Sequence, residues 1–170
     1  MKQIKQKIID LAVKLIEIKT NPTNFAELEN SLEIVKSELT DYTIEEFESN
    51  GYKSLLIHNK STGHRNFDLI LNGHLDVIPA KFEKYQARIE DNKIYGIGSM
   101  DMKGNIASMV YAFRDIAHKT NTSVALQIVT DEEVGGFYGT KYQIDQGVRA
   151  KFVIAGEATN FDIVNKGQEE

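Results

Sequence analysis

The stretch DLILNGHLD, residues 68–76, decides the fold that this sequence predicts. The run at 68–72 carries apolar residues on both faces, as in a central strand that helices cover on both sides. His74 and Asp76 follow this strand directly. Because ligands of open α/β sheets bind outside the carboxyl ends of the strands, we expect these two polar residues at a binding site.

Helical and extended patterns alternate on either side of this stretch. Helices are predicted at 4–18, 24–39, 106–117 and 138–146. Asn24 and Glu27 predict a capping box at the start of the second helix. Strands are predicted at 42–47, 55–58, 67–71, 124–129 and 152–155, with a hairpin formed by 86–90 and 93–97. Strands that alternate with helices predict an α/β sandwich with a largely parallel central sheet.

Length and composition limit the class of protein. The chain has 170 residues, which fits one domain, and its 41% hydrophobic and 26% charged residues are typical of a globular protein. The net charge of −5 argues against nucleic acid or an anionic membrane surface as a partner. No segment reaches the roughly 20 apolar residues of a membrane span. Asp10, Lys14 and Glu17 interrupt the first apolar segment, so we expect no secretory signal there.

Cysteine is absent from the sequence. A disulfide framework and a thiolate metal site are therefore excluded, and any metal ion must be bound by His, Asp and Glu. A chain without cysteine also fits the reducing cytoplasm, where we expect this protein to work.

Four polar clusters that contain glycine lie where a predicted strand ends or a predicted helix begins: residues 73–76, 98–104, 130–136 and 156–159. Each cluster alone has an ordinary structural interpretation, such as a helix N-cap for Asp101 or a solvated turn for the acidic residues 131–133. Their shared position at the expected carboxyl edge of the sheet indicates a functional site.

The segments GHLDV (73–77), SMDMKG (99–104), DEEVGG (131–136) and GEAT (156–159), in this order and spacing, resemble the M20 family of metallopeptidases and deacylases. That family includes aminoacylases, carboxypeptidases, di- and tripeptidases, acetylornithine deacetylases and succinyl-diaminopimelate desuccinylases. The resemblance implies a three-layer α/β sandwich of the zinc-exopeptidase type, interrupted by a smaller lid or dimerisation domain.

The resemblance implies four metal ligands. His74 and Glu157 would bind the first metal ion, Glu133 the second, and Asp101 would bridge both. Imidazole and carboxylate ligands suit Zn²⁺, with Co²⁺ or Mn²⁺ as substitutes. Two dications about 3.5–4 Å apart need a shared anionic ligand, which a bridging aspartate supplies.

The resemblance also implies two catalytic residues. Asp76 would hydrogen-bond the other ring nitrogen of His74 and fix its tautomer. Glu132 would be the general base, which takes a proton from the metal-activated water and passes it to the leaving nitrogen. The reaction implied is hydrolysis of an amide bond in a small molecule, either an N-acyl amino acid or a short peptide. A homodimer is an expectation for the full-length protein only.

The sequence departs from the family pattern in two places. In the family, the second metal ion has a further histidine ligand near the carboxyl terminus. All four histidines of this chain precede Glu157: His58, His64, His74 and His118. Ala158 stands where the family usually has proline. We therefore interpret residues 1–170 as the amino-terminal part of a catalytic domain, without the lid domain and the carboxyl-terminal half, so that the fold is incomplete.

Three expectations follow from that interpretation. The chain alone should bind one metal ion more tightly than a second, should hydrolyse amides feebly, and should expose an apolar sheet edge that promotes self-association. Two alternatives stay open: a truncated, non-catalytic metal-binding or interaction module, and an unrelated α/β protein with a fortuitous acidic rim.

Overall fold

The computed structural model describes residues 2–158. The helices in this range are α1 (Lys2–Ile16), α2 (Phe25–Ser37), α3 (Lys103–Lys119) and α4 (Thr140–Asp145). The strands are β1 (Thr43–Ser49), β2 (Tyr52–His58), β3 (Asn66–His74), β4 (Arg88–Glu90), β5 (Lys93–Tyr95), β6 (Val124–Val129) and β7 (Arg149–Ala155). Two short 3-10 helices lie at Phe82–Tyr85 and Glu132–Val134.

Five strands form one sheet in the order β1-β2-β6-β3-β7. Its centre is parallel, since β3 runs parallel to both β6 and β7. The sheet as a whole is mixed, because β2 runs antiparallel to β6 and β1 antiparallel to β2. The predicted hairpin is confirmed as a separate antiparallel pair, β4-β5.

Helices cover both faces of this sheet. On one face, side chains of α1, α2 and α3 such as Leu15, Leu32 and Phe113 pack in one buried cluster with strand residues. On the other face, a smaller cluster forms around Phe67, and α4 is joined to the sheet by the buried side chain of Gln143. Each fully buried leucine or phenylalanine contributes roughly 1.5–3 kcal/mol. The predicted α/β sandwich is thereby confirmed.

The predicted capping box at the start of α2 is wrong. Asn24 precedes α2 but makes no side-chain capping hydrogen bond. Its amide instead donates to the carbonyl oxygen of Lys19, and the carboxylate of Glu27 accepts from Asn30. The side chain of Asn24 thus ties the helix to the preceding turn, which the spacing of the two polar residues does not reveal.

The predicted apolar sheet edge is present at β7. Phe152, Val153 and Ile154 are exposed, Phe152 to 73% of its surface. These side chains alternate between the two faces of a strand that has a neighbour, β3, on one side. Self-association through this edge stays a prediction, which light scattering at increasing concentration checks.

No helix among residues 2–158 is both long enough and apolar enough to cross a membrane.

Candidate metal centre

The parallel strands bring three of the four polar clusters to one edge of the sheet. His74, the last residue of β3, pairs with Val129, the last residue of β6. Ala155, at the end of β7, pairs with Asn72, two residues before His74. The segments that follow the three strands therefore start at nearly the same level, and they carry Asp76, Glu132, Glu133 and Glu157.

The fourth cluster reaches the same place from the start of α3. A Cβ atom on Gly73 would lie 2.5 Å from Met102 Cε and 2.6 Å from Ile106 Cδ1. Glycine at this position therefore lets the first turn of α3 pack directly against the end of β3. Asp101, just before that turn, is consequently held beside His74.

The imidazole of His74 is the centre of the cluster. Its Nε2 atom lies 3.1 Å from Asp101 Oδ1, 3.6 Å from Glu157 Oε1 and 3.9 Å from Glu132 Oε2. Two groups have all their candidate ligand atoms within 4.8 Å of one another: His74, Asp101 and Glu157, and His74, Glu132 and Glu133. All six residues predicted from the motifs thus meet here, with Glu133 grouped with His74 and Glu132. Thr159, the last residue of the fourth motif, lies outside the described residues.

Asp76 is fully buried and contacts both groups. His74 Nδ1 lies 2.9 Å from the backbone carbonyl oxygen of Asp76 and 3.3 Å from its carboxylate Oδ1. The other carboxylate oxygen, Oδ2, accepts a hydrogen bond of 2.9 Å from the backbone N–H of Glu133. Because a carbonyl oxygen can only accept, Nδ1 carries a hydrogen, and Nε2 faces Asp101 and Glu157. The backbone carbonyl is a nearer partner than the predicted carboxylate.

Within the described part of the chain, His74 is the only basic side chain that forms ion pairs with these acidic side chains. Among residues 2–158, the ion pairs of this cluster involve His74 and no lysine or arginine. Burial raises the pKa of Glu133, and the negative charges of Asp101, Asp76 and Glu132 raise it further. A set of carboxylates that repel one another in this way favours a bound cation.

Two further pKa values respond to the same crowding. Burial raises the pKa of Glu157, and Asp101 and Glu132 add to that effect. Burial alone would lower the pKa of His74, but Asp76, Glu157 and Glu132 together raise it to about 9. A proton on Nε2 would pair with Asp101, and a dication bound by these atoms would take the place of that proton.

Lys103 is a buried residue of this region to which the sequence analysis assigns no role. Its ammonium group donates a hydrogen bond of 2.9 Å to the backbone carbonyl oxygen of Ile18. Burial lowers its pKa to about 7, against the opposing effect of the Asp76 charge. Its position two residues after Asp101 in the second motif is the only sequence signal that singles it out. The contact fastens the start of α3 to the segment after α1.

The donor atoms fit a divalent metal ion. His74 Nε2 would offer one nitrogen donor when it is deprotonated, and candidate carboxylate oxygens lie within 4.8 Å of the imidazole donor. Nitrogen and oxygen donors of this kind suit Zn²⁺, Co²⁺ and Mn²⁺. Fold and site together define an α/β protein with a histidine–carboxylate centre of the metal-binding type, at the carboxyl ends of parallel strands.

Comparison with known families agrees with this class. The sequence profile of peptidase family M20/M25/M40 matches residues 70–165, more than half of the chain. The chain belongs to this family, and the resemblance inferred from the four motifs is confirmed.

The curated relatives include succinyl-diaminopimelate desuccinylases. The protein of that name from Sulfurimonas denitrificans is 32% identical over 136 residues, which cover 75% of this chain and 36% of the relative. The one from Nautilia profundicola is 29% identical over 161 residues, which cover 89% of this chain and 42% of the relative. The chain therefore spans about two fifths or less of the length of these relatives.

Solved structures confirm the fold. Human carnosine dipeptidase 1 superposes with a TM-score of 0.72 and 16% identity, over 91% of this chain and 39% of that protein. The M20 family metallo-carboxypeptidase Sso-CP2 from Sulfolobus solfataricus gives a TM-score of 0.69 and 19% identity, over 89% of this chain and 37% of that protein.

Proposed function

We propose that this chain forms the metal-binding part of an amide-bond hydrolase that works with two divalent metal ions, with Zn²⁺ as the preferred ion. One observation supports this most strongly: five carboxylates converge on His74, and no lysine or arginine among residues 2–158 pairs with them. Uncompensated charge of this density is stable when a cation binds it. The membership in peptidase family M20/M25/M40 agrees with hydrolysis.

The two metal positions differ in the ligands that this chain offers. His74, Asp101 and Glu157 would hold the first ion, and these three residues form one of the two compact donor groups. Asp101 would be shared with the second ion, which Glu133 would also bind. Three protein ligands against two predict that the first ion binds more tightly than the second.

The remaining two residues act on protons and on orientation. When bound, a divalent metal ion lowers the pKa of a water molecule and polarises a carbonyl group. Glu132 then accepts the proton of the attacking water and passes it to the leaving nitrogen. Its carboxylate is half exposed and lies 3.9 Å from His74, close to the ligands yet open to substrate. Asp76 keeps the hydrogen of His74 on Nδ1, so that Nε2 stays free for the metal.

The substrate class that we propose is an N-acyl amino acid. The supporting observation is the name shared by the curated relatives, succinyl-diaminopimelate desuccinylase. Hydrolysis of an N-succinyl amide releases succinate and a free amine. A short peptide cleaved at its end is the second substrate class, because the amide chemistry is the same.

Zinc titration combined with an activity assay tests this function. Calorimetry should show one tight and one weaker Zn²⁺ class, and succinate release from succinyl-diaminopimelate should be slow and metal-dependent. Glu132→Gln should abolish release and leave the tight class intact, whereas Glu48→Gln, an exposed change on β1, should alter neither. Absence of Zn²⁺ uptake, or release that survives Glu132→Gln, contradicts the proposal.

A non-catalytic metal-binding module is the second candidate. It is favoured by the fact that, of the ligands proposed here, Asp101 and Glu133 alone would bind the second ion. Tight Zn²⁺ binding without succinate or amino acid release from any N-acyl amino acid or dipeptide would support this candidate.

A further inference from the structure

Asp131 is a fully buried carboxylate directly before the pair Glu132 and Glu133. It lies two residues after the end of β6 and makes none of the contacts to His74 that define the metal centre. A buried carboxylate is costly unless hydrogen bonds stabilise it, so its partners indicate its purpose.

Both acceptor groups of Asp131 hold the segment that follows it. The carboxylate Oδ2 accepts a hydrogen bond of 2.7 Å from the backbone N–H of Tyr138. The backbone carbonyl oxygen accepts from the N–H groups of Gly136 at 2.8 Å and Val134 at 3.3 Å. Residues of the loop 132–138 thus donate hydrogen bonds to Asp131, the residue that precedes the loop.

The far end of this loop is packed onto the same side chain. A Cβ atom on Gly139 would lie 2.7 Å from Val129 Cβ and would collide with Asp131 Oδ1. Glycine therefore allows the backbone to pass against the carboxylate just before α4 begins at Thr140. Between the two ends of this loop, the Asp76 carboxylate accepts a hydrogen bond from the backbone N–H of Glu133. This bond fixes the position of Glu133 relative to the sheet.

We propose that Asp131 is a positioning residue that fixes the loop 132–138 so that the Glu132 and Glu133 carboxylates point at the metal centre. This inference rests on the proposed function. Adjacent residues must send their side chains to different atoms here, and a loop free to relax would not hold that arrangement. The carboxylate suits the task because its Oδ2 accepts the backbone N–H of Tyr138, at the far side of the loop, at 2.7 Å.

Zinc calorimetry on two variants tests the proposal. Asp131→Ala should weaken the weaker Zn²⁺ class, which depends on Glu133, by about 10–100-fold, as loss of an outer partner does. The tight class, held by His74, Asp101 and Glu157, should change by less than about threefold. Asp131→Asn keeps an oxygen that can accept from Tyr138 and should bind both ions nearly as the wild type does.

Hydrogen exchange of the metal-free protein gives a readout independent of zinc. The Tyr138 amide should exchange more than about tenfold faster in Asp131→Ala, because its acceptor is lost. Asp68→Ala is the matched control, since the Asp68 carboxylate accepts the backbone N–H of Ser123 at 3.0 Å at the opposite end of the sheet. It should leave both zinc classes and the Tyr138 amide unchanged.

The possible results separate the two proposals. Wild-type protein that takes up no Zn²⁺ overturns the metal centre and, with it, this role of Asp131. Suppose instead that the wild type takes up Zn²⁺ normally. If Asp131→Ala then leaves both zinc classes unaltered, or weakens both equally, the positioning role alone is overturned. An equal loss in Asp68→Ala does the same, because general destabilisation then explains the effect. If Asp131→Ala does not fold, Gly139→Ala displaces the same carboxylate, and an unaltered weaker class in that variant overturns the proposal.

Discussion

Two buried histidines lie beside carboxylates at opposite ends of the sheet. His74 pairs with Val129 at the carboxyl end of β6, whereas His58 pairs with Ala125 near its amino end. His58 Nε2 lies 2.8 Å from Glu45 Oε1, a closer contact than any that His74 Nε2 makes with a carboxylate. Proximity of a histidine to a carboxylate therefore does not by itself distinguish the two sites.

The balance of charge does distinguish them. At His58, Arg65 donates to both oxygens of Glu45, at 2.8 and 3.0 Å, and the N–H of Gly63 adds a further bond. One carboxylate thus has three partners. At His74, five carboxylates share one imidazole. The Glu45 cluster is therefore complete as a structural unit, whereas no lysine or arginine among residues 2–158 pairs with the carboxylates around His74, and this contrast supports the proposed cation there.

The largest expected effect is the loss of metal binding when His74 is removed. His74→Ala should weaken the tight Zn²⁺ class by more than about 100-fold, beyond the ~10–100-fold cost of losing an outer partner, because His74 is the imidazole ligand proposed for the first ion. His58→Ala should leave both zinc affinities within about threefold of the wild type. Calorimetry on the two variants measures this contrast, and equal losses would erase the distinction between the sites.

Metal addition should stabilise the protein through the His74 site. At a free Zn²⁺ concentration of about 100 times Kd, binding adds about 2.7 kcal/mol to the free energy of unfolding. For a chain of this length, that is a rise in Tm of about 5–10 °C. Thermal unfolding with zinc, and again after a chelator, should show this shift in the wild type and in His58→Ala. A shift of similar size in His74→Ala would contradict it.

Much of the site was predictable because most of its residues lie at or just after the ends of predicted strands. The run at 68–72 identified a central strand, and the residues behind each apolar strand converged as expected. The direction of β2 was not predictable, because an apolar run such as 55–58 has the same pattern in parallel and antiparallel strands. β3 also extends further than predicted and ends at His74 itself.

The remaining features depend on contacts between residues distant in sequence. The bond from Lys103 to Ile18 spans 85 residues, and no periodicity indicates it. His58 and Arg65 are ordinary polar residues in the sequence. The pairing of β1 with β2 brings Glu45 near His58, and Arg65 reaches Glu45 from the position just before β3. Asp131 belongs to the acidic run 131–133, whose three members the sequence does not distinguish. The structure distinguishes Asp131, because it is buried and accepts the backbone N–H of Tyr138.

A smaller effect is expected from the charge-balanced cluster. Arg65→Ala removes two hydrogen bonds to Glu45 and should lower the free energy of unfolding by about 2 kcal/mol, as expected for bonds to a charged group that is partly buried. Urea unfolding measures this loss. Arg88→Ala is the control, because its pair with Glu90 is exposed and should be worth less than about 0.5 kcal/mol. Zinc affinity should be unchanged in both variants.

The smallest effect is the pH dependence of the same cluster. Burial alone would raise the pKa of Glu45, but hydrogen bonds from Arg65, His58 and Gly63 lower it below its usual value of 4.5. A carboxylate whose pKa is lower in the folded state contributes stability that is complete above pH 4.5 and is lost as the pH falls through the folded-state value. In metal-free protein, the advantage of the wild type over Glu45→Gln in urea should therefore shrink from about pH 6 to about pH 3. A constant difference over that range would show that Glu45 acts through shape and not through its charge.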